Sequence, residues 1–313
     1  MMDFVLVALG LVLLLLGGDS LVKGAVNLSL RIGIPALIVS LTVVAFGTSA
    51  PELLISVQAV LDGVPGLALG NVVGSNTANI LLVLGVPALL AVMHTSGCDS
   101  RNSYLQMIGA SLLFITLCFL GPLTWWSGLI LLTALAAMLL HAIHSARCHR
   151  RDAKAEDEEI EGADPSLGWG KIALFLVLGL IGLPLGAQLL IDGAVGIATR
   201  FGLPEEVIGL TLVALGTSLP ELATTVMAVL RKQADVALGN VIGSNMFNLL
   251  AIIGVASLVG PIPVSPEILS FDLWVMLGAS LLLIPFVFFR RDITRVWGIG
   301  LTALYVAYVM VLL

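Results

Sequence analysis

The sequence predicts an all-α membrane protein, with ten transmembrane helices arranged as two inverted five-helix repeats. Three observations predict it. Of 313 residues, 59 % are hydrophobic and only 11 % charged, whereas a soluble chain carries about 25 % charged residues. Mean hydropathy is +1.11, and the apolar residues fall into runs near the roughly 20 residues that cross a bilayer as a helix. The second half of the chain also repeats the first. So few charges exclude a soluble enzyme or a nucleic-acid binder. Continuous rather than alternating runs exclude an outer-membrane barrel.

The runs lie at 4–22, 34–61, 67–93, 104–121, 124–143, 170–191, 203–230, 236–260, 271–289 and 294–313. The first opens without a basic leader or a clear cleavage site, so it reads as a membrane helix rather than a signal peptide. The first and sixth can extend to Arg31 and Arg200. A hydrophilic linker, 145–168, separates the repeats 1–144 and 169–313. Its acids lack the spacing and the glycine of a helix–loop–helix calcium site, which leaves a solvated linker. Cys98, Cys118 and Cys148 are unclustered and point to neither a disulfide framework nor a metal site. His141 and His144 share a helix face, which a metal ion could bridge, but they end an apolar run beside a basic stretch, which favours an interfacial role over a metal site.

Residues 33–85 align with 202–254 without a gap at an offset of 169, with 27 identities in 53 positions. VAFGTSAPEL (44–53) pairs with VALGTSLPEL (213–222), and ALGNVVGSNTAN (68–79) with ALGNVIGSNMFN (237–248). Five helices per half is odd, so the halves enter the membrane in opposite senses, the plan of many secondary transporters. With both termini outside, 13 of the 14 Lys and Arg residues fall on the inner side and only Arg200 outside. That is a positive-inside pattern, and it places the linker in the cytosol.

Glu52 and Glu221 sit deep within apolar runs, where an unpartnered charge is costly. Asp19 and Asp192 do not pair under the repeat and read as interfacial or structural. No basic residue lies near either glutamate in sequence, so a bound cation is the natural partner; the competing reading is a pair of protonated, hydrogen-bonded glutamic acids. Each follows a helix breaker: Pro51 has no N–H for the Gly47 carbonyl, and Gly216 and Pro220 repeat the arrangement. An unwound step with free carbonyls is expected there. Thr48 and Ser49, with Thr217 and Ser218, share the glutamate faces. Ser75 with Asn79, and Ser244 with Asn248, are spaced i, i+4 on helices whose glycines favour close packing. These polar groups bind an ion or serve as inter-helix glue. The set is all oxygen, which suits Ca²⁺, Mg²⁺ or Na⁺ and argues against zinc or copper. Two carboxylates balance one divalent ion.

GTSAPE with GNVVGSN, repeated as GTSLPE with GNVIGSN, resembles the two alpha repeats of the calcium/cation antiporter superfamily, and the chain is similar to its prokaryotic sodium/calcium exchangers. The resemblance implies that the second, third, seventh and eighth helices form a core across which the first and sixth slide. It implies a central calcium site from Glu52, Glu221 and the carbonyls of Thr48 and Thr217. Sodium would use the same carboxylates with Ser49, Ser75, Ser218, Ser244 and the carbonyls of Ala45 and Ala214; Asn79 and Asn248 would line the centre. It further implies Ca²⁺ and Na⁺ as transported substrates rather than cofactors, a multi-pass place in a prokaryotic inner membrane, and no obligatory protein partner. Many relatives carry Asp where this chain has Asn248, which weakens the case for potassium co-transport. The proton/calcium branch shows a glutamate soon after GN, absent here. Proton exchange is the second reading within transport. An intramembrane protease would want aspartates near a GxGD-like loop, and a channel fits symmetric broken helices less well than a carrier.

Overall fold

The computed structural model describes residues 2–152, 167–201 and 214–312. Most of the predicted linker, and positions 203–213 of the seventh predicted run, lie outside them. Every regular element among the described residues is a helix. These are α1 (Met2–Ile32), α2 (Ala36–Thr48 and Ala50–Leu61), α3 (Pro65–Leu90), α4 (Arg101–Phe119), α5 (Trp125–Asp152), α6 (Trp169–Arg200), α7 (Ala214–Thr217 and Leu219–Leu230), α8 (Ala234–Val259), α9 (Ile268–Phe288) and α10 (Arg295–Leu312). Eight are long and apolar enough to cross a membrane, and the two parts of α2, bent by 44°, make a ninth candidate. The described part of α7 is shorter.

Burial is arranged for lipid outside and polar groups inside. Leu16, Phe46, Leu54, Leu230 and Val296 are exposed, as a hydrocarbon solvent permits, and Trp125 and Trp169 stand exposed at helix starts, where amphipathic rings anchor at the headgroups. Buried apolar side chains of α3, α4 and α8, among them Leu69, Ile80, Phe114, Val241 and Leu249, form the main core. This is a multi-pass membrane protein.

Two features set the helix geometry, and neither was read from the sequence. Gly10, Gly17 and Gly24 recur every seven residues on α1, and Gly179, Gly186 and Gly193 do so on α6. A seven-residue spacing holds one face, and these faces meet backbone to backbone. A Cβ at Gly186 would stand 2.8 Å from the Leu14 nitrogen, and one at Gly17 would stand 3.1 Å from the Leu183 nitrogen. The seam makes α1 and α6 a paired unit, closed at one end by Arg200 on Asp3 at 2.7 Å. Farther along α1, Asp19 accepts from Lys23 at 2.9 Å and from Arg231 at the end of α7. Asp192 accepts from Gln188 at 2.8 Å. Both acids thus have partners on the protein, in keeping with the structural reading.

The second feature is in the turns. Gly63 (φ 77°) and Gly121 (φ 124°) take positive φ, and so do Lys232 (φ 55°) and Arg290 (φ 49°), which stand 169 residues later. The repeat keeps the left-handed turn while the residue changes from glycine to a base, at a backbone cost of about 1–2 kcal/mol. The basic residues lie on the loops that the charge pattern assigns to the inner side.

Candidate ion-binding site

The site forms where α2 and α7 break. Ser49 leaves the helix at φ −87°, ψ 5°, and Ser218 does so at φ −87°, ψ 3°. Ala50 and Leu219 then start the second part of each helix, with Pro51 and Pro220 second and Glu52 and Glu221 in its first turn. The break is narrower than an unwound step. Ser49 N–H still donates to the Ala45 carbonyl (3.0 Å), and Leu53 N–H to Ser49 O (3.2 Å). The Ala45 carbonyl also lies 3.3 Å from Thr48 Oγ1, so a cation there competes with protein donors. The reason is steric: a proline at the second position of the new helix removes one bond, and a single residue's turn absorbs the clash. Ala214 opens the described part of α7.

Glu52 and Glu221 are each 1 % exposed, and their carboxylates are near enough to repel one another. The neighbours of Glu221 come from both halves. Ser49 Oγ donates to Glu221 Oε1 at 3.2 Å, and Thr48 and Ser244 face the same carboxylate. Thr48 Oγ1 stands 3.3 Å from Asn240 Oδ1 and 3.5 Å from Ser244 Oγ. Asn79 and Asn248 are held by two amides that the sequence reading passed over. Asn79 Nδ2 donates to Asn245 Oδ1 and Asn248 Nδ2 to Asn76 Oδ1, both at 3.0 Å, while Asn76 and Asn245 donate to each other's backbone carbonyls. Asn240 Nδ2 donates to Thr225 Oγ1 (3.2 Å), as Asn71 does to Ser56 Oγ (3.3 Å). The repeated N of GSN and of GN was the available signal; what the sequence could not show is that the bonds cross between the halves.

With their nitrogens engaged, the amides leave oxygens behind. Glu52 Oε2, Glu221 Oε2, Asn79 Oδ1, Asn248 Oδ1 and Ser218 Oγ are buried with no hydrogen-bond partner. A buried unsatisfied oxygen costs about 1–3 kcal/mol, more if charged. Five such atoms among the residues singled out by the repeats are a donor set suited to a hard cation.

Access differs on the two faces. A cavity of about 430 Å³ reaches Ser75 and Thr217 past Gly70, Asn71 and Gly74, from the face where α3 begins and α10 ends. On the opposite face α2 lies on α8: a Cβ at Gly239 would stand 2.6 Å from the Leu37 carbonyl oxygen, and one at Gly243 would stand 2.9 Å from Leu41 Cα. Ser40 Oγ fastens that contact by donating to the Val236 carbonyl at 2.6 Å.

A multi-pass helical protein with repeated kinks around buried, unpartnered oxygens has the features of a membrane ion transporter. The family model described as sodium/calcium exchanger protein matches residues 2–144 and 171–313, and the chain belongs to that family. It is 36 % identical over 308 residues to a putative antiporter CaxA of Alkalimonas amylolytica, covering 97 % of this chain and 96 % of the relative. It is 34 % identical over 348 residues to sodium/calcium exchanger MaX1 of Methanosarcina acetivorans, covering 99 % and 98 %. Among solved structures, the sodium-calcium exchanger NCX_Mj soaked with Na⁺ and Sr²⁺ superposes with a TM-score of 0.83 at 32 % identity, covering 99 % of this chain and 98 % of that one. The resemblance read from the GTSAPE and GNVVGSN motifs is confirmed.

Proposed function

We propose that the protein is a secondary antiporter that moves Ca²⁺ out of the cell in exchange for Na⁺, by alternating access to one central site. The observation that carries this is the set of buried oxygens without partners, two of them on glutamates that lack a basic neighbour. A dehydrated cation completes their coordination, and two carboxylates neutralise one Ca²⁺. Sodium ions sharing the same carboxylates would compete with calcium for one site, and this competition couples the fluxes. The names of MaX1 and NCX_Mj support the ion pair.

In this reading all ten helices span the membrane as two inverted repeats, 1–144 and 169–313, joined by a cytosolic linker with both termini outside. The 430 Å³ cavity then opens outward, and the contact of α2 with α8 seals the inside. The paired α1 and α6 are the unit that slides.

The test is radioactive calcium uptake into proteoliposomes loaded in turn with Na⁺, K⁺ or a proton gradient. Uptake driven by sodium alone is expected; uptake driven by protons and indifferent to sodium would replace this reading with proton exchange. Labelling of Ala155→Cys by an impermeant reagent in intact cells, in a background without native cysteines, would reverse the topology.

A further inference from the structure

We infer that Asp272 is a vestibule station for the incoming cation, a weak site outside the central one; this rests on the exchange reading above. Asp272 lies near the start of α9 and lines the 430 Å³ cavity whose far end is Ser75 and Thr217. Tyr308 O–H donates to Asp272 Oδ1 at 2.9 Å. The Tyr308 ring is in turn stacked on Phe271, with centroids 6.2 Å apart and planes 25° from parallel. The carboxylate is therefore held in one orientation on the cavity wall. Among the described residues no Lys, Arg or His forms an ion pair with it, and Glu267 adds a second negative charge nearby.

The repeat shows that this acid is not a leftover of duplication. Its counterpart is Ser103, which lines a separate cavity of about 220 Å³ on the opposite face. That cavity has its own acids, Asp99 and Asp235, at the positions matching Ile268 and Gly66 of the larger one. Each face carries carboxylates at different repeat positions. An unpaired acid inside a membrane segment is costly unless it meets water or an ion. Here it faces a cavity that reaches the candidate site residues Ser75 and Thr217. A negative charge on the wall of a largely apolar approach concentrates cations there. From Asp272 the ion passes to Ser75 and Thr217, shedding water in stages.

The test compares wild type with Asp272→Ser, which installs the first half's residue, and with the isosteric Asp272→Asn. Cations are added on the cavity face. The expected result is a KM for Ca²⁺ raised about thirtyfold, the size of a divalent ion's contact with one carboxylate in water. The KM for Na⁺ should rise only about fivefold, because a monovalent ion feels half the energy. The maximal rate and the KM from the other face should stay unchanged. Tyr308→Phe, which keeps the charge, should shift KM less than Asp272→Ser. Unchanged KM values, equal shifts for the two ions, or a loss confined to maximal rate would overturn the station. A second measurement does not depend on transport. In the Glu52→Gln, Glu221→Gln double variant, Tb³⁺ luminescence excited through tyrosine should appear, be displaced by Ca²⁺, and disappear when Asp272→Ser is added. A signal indifferent to Asp272→Ser, or no signal, counts against the station even if wild-type protein carries no calcium, whereas absent wild-type flux alone counts against the exchange reading.

Discussion

Asn248 donates its amide to the side-chain oxygen of Asn76, 3.0 Å away in the other half of the chain. Asn76 has committed its own N–H₂ to the Asn245 carbonyl at 3.2 Å, so it cannot turn round without losing that bond. A carboxylate at 248 would face an acceptor, and it keeps the contact only by carrying a proton. Asn248→Asp is therefore expected to make exchange pH-sensitive, with flux falling as pH rises from 6 to 8 while the native protein changes less. The native protein is expected to need no K⁺, because a potassium ion added beside Ca²⁺ would leave a positive charge uncompensated in a low-dielectric site. Sodium-driven calcium flux with choline in place of K⁺ checks both.

Glu52→Gln and Glu221→Gln remove half of the charge that balances calcium and keep the shape. Losing one partner of a buried charge costs about 3–5 kcal/mol, so flux should fall by more than about a hundredfold. The protein should still elute as a single species on size exclusion. Normal calcium flux in either variant would remove these residues from the site.

Exchange should move net charge. Three Na⁺ against one Ca²⁺, the ratio the family resemblance implies, transfers one charge, worth about 2.3 kcal/mol per 100 mV. A potential set with valinomycin should change the initial rate of calcium flux, and indifference to it would point to two sodium ions.

Asp292 gives a pH signature outside the membrane. Burial opposes its charge, but bonds from His94 (2.9 Å) and the Ser96 N–H (3.0 Å) outweigh that and hold its pKa below the ordinary carboxylate value. A depressed acid stabilises the fold above its unfolded pKa, and that contribution disappears as pH falls through the folded value. Asp292→Ala should therefore lower stability by about 1 kcal/mol at pH 7. The difference from wild type should shrink below about pH 4, as measured by thermal unfolding in detergent.

Arg290→Gly should stabilise. Arg290 holds a left-handed φ of 49° where its repeat counterpart is Gly121. Relief of that strain, less the added freedom of glycine in the unfolded chain, should give about 0.5–1 kcal/mol. A lower melting temperature would show that the arginine side chain holds the turn.

The carboxylates, hydroxyls and outer amides were legible because both copies of the motif retain them within apolar runs, where each polar group needs a reason. The glycine seam was hidden because a seven-residue spacing does not stand out among leucines, and its meaning depends on α6 lying against α1. Asn76, Asn245 and Asn240 sat inside the quoted motifs, yet their bonds form between elements that no single-chain pattern pairs. The breaks in α2 and α7 were placed at the right residues but drawn too wide, since one residue's turn is enough. Asp272 escaped because its counterpart in the first half is Ser103 rather than an acid, so the repeat does not mark it.

Asp19 meets Arg231 across 212 residues of chain. During synthesis at about 5–20 residues per second, that partner emerges roughly 10–40 seconds after the acid has entered the bilayer. In the interval Lys23, one turn away at 2.9 Å, is the neighbour that can neutralise it. The first helix is thereby delivered to the membrane as a self-compensated segment, and it later shares its acid with the end of α7. Lys23→Leu should therefore impair insertion and yield more than it impairs the stability of molecules already assembled.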